Sequence, residues 1–206
     1  MNYGSFTGTD PGDVSFLQVI ESTMTDSAPL YGPPVRVGNS LFFFPARFHS
    51  SASNGGADTT SGTLTMRLQA DTGFFLEMIT IVERGSYQFT GTGSSATQAT
   101  INGLLTLTDI MPGTHATLRS TLSVTPSPIY SLPGELAGDF TAITRIDLTG
   151  LGISKVVFNL NNNLQTTSEQ GTTAFIEKRT VEIHTPEPAA LGILLIGAFA
   201  LRRRVC

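Results

Sequence analysis

Apolar and polar residues alternate with a period of two along much of the first 184 residues. Thr63 to Ala70 (TLTMRLQA) shows this most clearly, because its apolar side chains occupy every second position. Alternate side chains point to opposite faces of a strand, so this segment predicts a half-buried β-strand. Turn residues separate about nine or ten such segments. We therefore predict an all-β fold in which residues 1–184 form a single β-sandwich of the jelly-roll or Greek-key type.

Two pairs of segments are predicted to form hairpins. Asp71-Thr72-Gly73 would join Thr63–Ala70 to the apolar segment Phe74–Glu83, which we expect to be a central strand. Thr97–Ile110 and His115–Val124 would form a second hairpin, since a Pro-Gly turn separates them.

Two irregularities are predicted in the last strands before the C-terminal segment. The asparagines at 161–163 are expected to mark the twisting end of a strand over Ser154–Thr166. Near Glu177–Arg179 the apolar positions change phase: Ala174 and Ile176 occupy even-numbered positions, whereas Val181 and Ile183 occupy odd-numbered ones. A change of phase within one strand predicts a β-bulge or a turn.

Two other segments leave alternatives open. Leu41–Phe44 (LFFF) predicts a strand buried on both faces, and the alternative is an exposed aromatic patch. Ser50–Gly62 (SSASNGGADTTSG) predicts a plain surface loop. Asp58 and Asn54 could supply oxygen ligands to Ca²⁺ in that loop, but one carboxylate without a recognised spacing is weak support.

Composition narrows the classes of function. Only 14% of residues are charged and the formal net charge is −4, so the chain has no electrostatic footprint for nucleic acid. The one cysteine, Cys206, cannot form an internal disulfide. Tryptophan, the aromatic residue often found at sugar-binding sites, is absent.

The residues show little that resembles a catalytic or metal site. His49, His115 and His184 are far apart and fit no metal-binding spacing. We find no Gly-x-Ser-x-Gly motif that would present a nucleophile. We therefore expect no catalytic residue, no metal and no cofactor.

Acidic residues were considered for glycoside hydrolysis, which needs two carboxylates about 5–9.5 Å apart. Glu77 and Glu83 would share a strand face but lie about 20 Å apart at 3.3 Å per residue. We interpret Glu177, Lys178, Arg179 and Glu182 as a solvated strand face. The remaining candidate acids are Asp109, Glu135 and Asp139.

Residues 185–206 follow a different pattern. Pro186-Glu187-Pro188 comes first, then thirteen small or apolar residues from Ala189 to Leu201, then Arg202, Arg203 and Arg204. A helix of that length would span roughly 20 Å, short of the about 30 Å of a bilayer core. We predict a short hydrophobic helix that inserts into the membrane while the arginines stay cytoplasmic. The residues that we assign to the membrane segment are Ala189, Leu191, Ile193, Leu194, Leu195, Ile196, Phe199 and Leu201.

This order of motifs at the extreme C-terminus resembles the PEP-CTERM sorting signal. The resemblance implies bacterial export, transient insertion in the inner membrane, recognition by an exosortase and cleavage near Pro186–Pro188. The mature product would then lie at the cell surface or in the extracellular matrix, next to exopolysaccharide. The body, including Ser168–Arg179 (SEQGTTAFIEKR), also resembles uncharacterised exported proteins with this signal.

Export requires a leader, and the sequence MNYGSFTGTDPGDVSF has neither a cationic region nor an apolar stretch of about 7–15 residues. We expect the leader to be encoded upstream. The sequence thus predicts a non-enzymatic, exported surface or matrix protein. A carbohydrate-binding or adhesive module is the alternative, and a glycoside hydrolase is the third candidate.

Overall fold

A computed structural model describes residues 1–113, 116–134 and 136–186, together with the backbone of 189–190. Every regular element in these ranges is a β-strand, which confirms the predicted all-β class. In chain order the strands are β1 Asn2–Phe6, β2 Val14–Thr23, β3 Val35–Val37, β4 Ser40–Phe43, β5 His49–Ser53, β6 Ala57–Ala70, β7 Phe74–Phe75, β8 Met78–Thr90, β9 Gln98–Asp109, β10 Thr117–Thr121, β11 Ser123–Thr125, β12 Ile129–Ser131, β13 Ala137–Asp147, β14 Lys155–Thr167, β15 Thr173–His184 and β16 Ala189–Ala190.

All of these strands except β7 and β16, which pair with each other, form two antiparallel sheets that make a β-sandwich, as predicted. The first sheet has the order β1-β2-β6-β14-β9-β10, and β12 also pairs with β9. The second sheet has the order β11-β13-β8-β15-β4-β3, and β5 also pairs with β15. Neighbours such as β6 and β14 are far apart in sequence, so the chain crosses repeatedly from one sheet to the other.

The core lies between the inner faces of the two sheets. In β6 the inward positions are Leu64, Met66 and Leu68, which are buried, while Thr65 and Arg67 between them face outward. In β14 the buried Val156 and Phe158 lie opposite Leu68 and Met66. The alternation read from the sequence therefore corresponds to burial on one face of each strand.

The predicted hairpin between Thr63–Ala70 and Phe74–Glu83 is wrong. The turn itself forms, since the N–H of Phe74 donates to the carbonyl of Asp71 at 3.0 Å. However, β6 pairs with β2 and β14, while β8 pairs with β13 and β15 in the other sheet. Two strands joined by a short turn can lie in opposite sheets and bury their apolar faces against the same core. The other predicted hairpin is confirmed, because β9 and β10 pair in register.

The predicted surface loop at Ser50–Gly62 is also wrong, because most of it belongs to β5 and β6. Asn54 and Gly55 form a tight turn with φ of 51° and 83°, closed by a hydrogen bond from Gly56 N–H to Ser53 O at 3.0 Å. Asn-Gly is a strong signal for such a turn. The carboxylate of Asp58 accepts a hydrogen bond from the Ser51 N–H at 2.8 Å.

Leu41–Phe44 is not buried on both faces as predicted. Leu41 and Phe43 lie in the core, whereas Phe44 is 59% exposed. On the other face of β4 Phe42 is half-buried, and Phe44 lies just beyond the end of the strand.

The C-terminal helix is not found where the sequence predicted it to begin. Ala189–Ala190 is a short strand whose backbone pairs with Phe74–Phe75. Glu187, Pro188 and residues 191–206 lie outside the described residues, and with them most of the predicted membrane segment and the arginines. In the described part of the chain, no helix has the length and apolarity needed to cross a membrane.

The turn between β14 and β15 is fixed to a neighbouring turn by Glu169. Its carboxylate accepts hydrogen bonds from the Ser94 N–H at 2.6 Å, the Ser94 hydroxyl at 3.0 Å and the Thr97 hydroxyl at 3.1 Å. These bonds, first that from the Ser94 backbone, lower the pKa of the Glu169 carboxyl below its ordinary value.

We predict that Glu169→Gln lowers the free energy of unfolding at pH 7, because hydrogen bonds to a carboxylate are stronger than those to a neutral amide. A lowered folded-state pKa stabilises the fold above the unfolded pKa of about 4.3, and this contribution is lost as the pH falls through the folded pKa. The difference in the free energy of unfolding between wild type and variant should therefore become smaller as the pH falls. Urea unfolding at several pH values measures this difference. Glu182→Gln on β15, a carboxyl with no side-chain hydrogen bond to the described residues, is the control. A difference that stays constant with pH would contradict this account.

A second prediction concerns Gly85, which faces inward on β8. A Cβ atom at this position would overlap the backbone oxygen of Glu177 and the ring of Phe140. Gly85→Ala should therefore lower the free energy of unfolding by about 1–3 kcal/mol or more, as overpacking does. Gly134→Ala, whose added Cβ would meet only an ordinary contact at 3.6 Å, is the control. If thermal unfolding showed that both substitutions lower the free energy of unfolding equally, the space around Gly85 would not be limiting.

Candidate functional site

A groove of about 700 Å³ lies over the middle of the first sheet, where β6, β14 and β9 run side by side. Met24, beyond the end of β2, is 98% exposed at one side, and Leu122 and Pro128 lie at the other. The lining residues are Ser22, Thr23, Met24, Ser61, Gly62, Thr63, Ile101, Asn102, Gly103, Leu104, Thr121, Leu122, Pro128, Asn161, Asn162 and Asn163.

Strand register explains why polar side chains collect in this groove. Asn161 of β14 lies between Thr63 of β6 and Leu104 of β9. In the next outward row, Asn163 lies beside Asn102. These positions have the same parity along their strands, so their side chains share the outer face. The predicted strand end at residues 161–163 is wrong, because β14 continues to Thr167.

Hydrogen bonds orient the amides of this face. The Thr63 hydroxyl donates to Asn161 Oδ1 at 2.7 Å, and Asn161 Nδ2 donates to Asn159 Oδ1 at 2.9 Å. Asn159 Nδ2 in turn donates to the Thr65 hydroxyl at 3.1 Å. Asn163 Oδ1 is enclosed and has no hydrogen-bond partner among the described residues. The groove is thus lined by amides that hydrogen bonds hold in fixed orientations.

The groove is uncharged, since no Asp, Glu, Lys, Arg or His is among the described residues that line it. Its polar groups are hydroxyls and amides, which both donate and accept hydrogen bonds. Met24, Leu104, Leu122 and Pro128 add apolar surface. Such a surface can bind a neutral ligand that combines many hydroxyl groups with C–H faces.

A buried polar cluster lies on the inner side of the same strand. Asn162, between two outward-facing asparagines, points into the sandwich and is 2% exposed. Its Nδ2 donates to Glu83 Oε1 at 2.5 Å and to the Tyr31 hydroxyl at 2.9 Å. The other carboxylate oxygen of Glu83 forms an ion pair with Lys178 Nζ, and both side chains are fully buried. We call Glu83, Lys178, Asn162 and Tyr31 the inner cluster.

A β-bulge helps to place Lys178 in the core. In β15 the register shifts between Lys178 and Thr180, which confirms the irregularity predicted near Glu177–Arg179. Lys178 continues the inward positions of the strand, whereas Arg179 is exposed and pairs with Asp139 at 3.2 Å. Lys178 is 1% exposed, so the predicted solvated face is wrong for this residue.

Two glycines make room for the inner cluster. Gly62 and Gly103 are the residues that flank Asn162 in the first sheet. A Cβ on Gly62 would lie 2.8 Å from the Phe48 ring and 3.0 Å from the Tyr31 ring, and one on Gly103 would lie 2.7 Å from Asn162 Oδ1. Glycine at these positions allows the aromatic rings and the amide to approach the sheet closely.

The electrostatics of the cluster follow from burial. Desolvation lowers the pKa of the Lys178 ammonium, although the charge and the hydrogen bond of Glu83 oppose this effect. Burial, with the nearby charge of Glu83, raises the pKa of the Tyr31 hydroxyl, which therefore stays neutral. The Phe48 ring lies 5.4 Å from Lys178 Nζ, within the range of a cation–π contact.

The other acidic and histidine side chains with possible catalytic chemistry are dispersed. Asp109 is buried and accepts a hydrogen bond from the Met111 N–H at 2.9 Å, and Asp139 is exposed. His184 Nδ1 lies 2.8 Å from the Ser40 hydroxyl, while His49 lies beside the Phe175 ring. Over residues 1–113, 116–134 and 136–186 no three His, Cys, Asp or Glu side chains are grouped to hold a metal ion. Glu135 and His115 lie outside the described residues.

The sorting motif is only partly visible. Pro186 is half-buried at the end of the described body, next to the buried Thr185. Glu187 and Pro188 lie beyond it, outside the described residues. Pro186 is not among the residues that line the groove.

Sequence reasoning missed both the groove and the inner cluster, although a signal for each exists. In the middle of β6 and β14, the outward positions within Thr59–Thr65 and Asn159–Asn163 are all Thr, Ser or Asn, which marks an uncharged polar face. Glu83, Lys178 and Asn162 each occupy an inward position in an otherwise apolar alternation. A polar residue with the parity of the core is a signal for a buried network.

Comparison with known proteins gives no family assignment. No family model matches the chain, and no curated protein matches it.

Among solved structures, a mutant of the family 29 carbohydrate-binding module CBM29-2 complexed with mannohexaose is 12% identical with a TM-score of 0.22. The match covers 82% of this chain and 93% of that chain. A second CBM29-2 mutant, complexed with cellulohexaose, is 12% identical with a TM-score of 0.21, covering 81% and 91%. The enzymatically active domain of tailspike protein 4 of bacteriophage CBA120 is 12% identical with a TM-score of 0.20, covering 86% of this chain and 18% of that chain. TM-scores this low do not establish a shared fold, so the proposals below rest on the residues of this chain.

Proposed function

We propose that this chain is a non-enzymatic protein of the bacterial cell surface or extracellular matrix, and that its β-sandwich binds a neutral polysaccharide in the groove of the first sheet. The observation that carries the binding proposal is the uncharged lining of the groove, which combines Asn, Ser and Thr side chains with apolar ones.

Size and chemistry of the groove support a sugar ligand. Its volume of about 700 Å³ lies within the range of ordinary ligand sites. Sugar hydroxyls need partners that donate and accept, and the exposed amide of Asn102 provides both. No aromatic ring is among the described lining residues, so the C–H faces of the sugar would contact Met24, Leu104 and Leu122.

Two features support binding in preference to other activities. Cleavage of a glycosidic bond requires paired carboxylates, and none is among the described groove residues. The net charge of −4 and the uncharged lining disfavour anionic polymers, because no cation is available there to pair with them. A neutral exopolysaccharide is therefore the proposed partner.

The C-terminal segment supports the proposed location. Pro186-Glu187-Pro188, the apolar residues 189–201 and Arg202–Arg204 follow the order of a PEP-CTERM sorting signal. We propose that export machinery translocates the body, that the apolar segment holds the precursor in the inner membrane, and that an exosortase removes it. The arginines would keep the end of the precursor cytoplasmic until cleavage.

The groove is tested with Asn102→Ala, which removes an exposed amide from the lining. One lost hydrogen bond of about 0.5–1.5 kcal/mol should lower the affinity for a bound polysaccharide roughly 2- to 13-fold. Neutral and anionic polysaccharides are first screened on an array, and the best binder is titrated by calorimetry. Thr108→Ala is the control, because Thr108 lies on the outer face of the same strand but does not line the groove. Binding to anionic polymers alone, or equal effects of the two substitutions, would contradict the proposal.

The sorting signal is tested by expressing the gene from its own locus with the upstream DNA. The mature protein should occur in the envelope or medium, and its intact mass should place its C-terminus near Pro186–Pro188. Glu187→Ala should leave the uncleaved precursor in the membrane fraction, whereas Glu182→Ala should be processed normally. A cytosolic wild-type protein that still ends at Cys206 would exclude the sorting proposal.

A further inference from the structure

Three side chains of the inner cluster have complementary reactivity. Lys178 carries a primary amine, Asn162 carries a carboxamide, and the carboxylate of Glu83 contacts both. All three are nearly or completely buried between the sheets. An amine, an amide and a proton-transferring acid, held together away from water, are the components of a transamidation.

We propose that Lys178 and Asn162 form an intramolecular isopeptide bond, with Glu83 as the group that transfers protons. The bond would join Nζ of Lys178 to Cγ of Asn162 and would release the side-chain nitrogen of Asn162 as ammonia. It would link β15 of the second sheet covalently to β14 of the first.

The proton balance of the reaction is complete within the cluster. The Lys178 ammonium first gives one proton to Glu83, which leaves a neutral amine and a neutral acid. The nitrogen lone pair of the amine then forms a bond to Asn162 Cγ, and the electron pair of the C=O bond moves to Oδ1. Glu83 gives its proton to Nδ2 and takes one from Nζ. The C=O bond re-forms, the Cγ–Nδ2 bond breaks and ammonia leaves. Glu83 ends protonated, and no oxidant or other reactant is consumed.

The surroundings favour the neutral amine that this reaction needs. Burial lowers the pKa of the Lys178 ammonium, which promotes loss of its proton. Asn162 Oδ1 is buried without a hydrogen-bond partner in the orientation described. Rotation of the amide by 180° exchanges its two ends and would let Oδ1 accept hydrogen bonds from protonated Glu83 and from the Tyr31 hydroxyl. A hydrogen bond to that oxygen stabilises the negative charge it develops.

The reaction also removes an unfavourable arrangement. A buried ion pair loses hydration that the attraction between its charges recovers only in part. The product contains a neutral amide and a neutral carboxylic acid, so no ionised group remains inside the cluster. Asn162 and its flanking glycines line the floor of the groove, which provides a short path for ammonia to leave.

A peptide digest of the purified full-length wild-type protein tests the bond directly. Trypsin does not cleave after an acylated lysine, so the bond should yield one peptide of residues 156–179 that is lighter than its sequence by one ammonia. Further digestion with a protease specific for glutamate should leave the dipeptide Lys178-Arg179 attached to residues 156–169. A peptide that ends at Lys178 with its full sequence mass would overturn the proposal.

Loss of ammonia by cyclisation of Asn162 alone would give the same mass change, but trypsin would then still cleave after Lys178. That result would also overturn the proposal. Asn162→Ala and Glu83→Gln should each restore cleavage after Lys178, whereas Asn161→Ala, on the outer face of the same strand, should leave the bond complete. If Asn161→Ala abolished the bond and Asn162→Ala did not, the assignment of Asn162 would be wrong. The wild-type digest decides the question even if an inner-cluster variant does not fold.

Discussion

The arrangement of strands in the middle of the sandwich depends on the buried ion pair between Glu83 and Lys178. Removing two charges from water costs several kcal/mol per ion, and a buried pair is tolerated only when its geometry and its remaining hydrogen bonds are good. Here Asn162 donates to the carboxylate, and Phe48 lies beside the ammonium. These contacts require that β8 and β15 of one sheet and β14 of the other keep their register.

The local irregularities around the pair follow from that requirement. The bulge after Lys178 lets β15 present both this lysine and the later apolar residue Val181 to the core. Gly62 and Gly103 leave space beside Asn162 that larger residues would fill. Gly85 lies opposite Lys178 on β8, and its missing side chain allows that strand to approach the bulge. The bulge in β15 and the three glycines are far apart in sequence, but all of them lie around the same buried ion pair.

The sequence was sufficient for the fold class, because alternation with a period of two depends only on which face of a strand is buried. It also located the bulge in β15 and the hairpin of β9 and β10. It failed at Thr63–Ala70 and Phe74–Glu83, since a short turn can join strands of one sheet or of two, and the choice depends on distant partners such as β14 and β13. Whether the sandwich is of the jelly-roll or the Greek-key type stays a prediction.

The sites were harder to predict than the fold for a related reason. Glu177, Lys178 and Arg179 are consecutive charged residues, which favours a solvated surface when they are read locally, yet parity assigns Lys178 to the core. Only the neighbouring strands show that a carboxylate pairs with Lys178 there and that an amide contacts the same carboxylate. The same parity divides the three asparagines of β14: Asn161 and Asn163 line the groove, while Asn162 points inward. A shift of β14 by one residue would exchange these roles, so the register that builds the core also decides which amides face a ligand and which one faces Lys178 and Glu83.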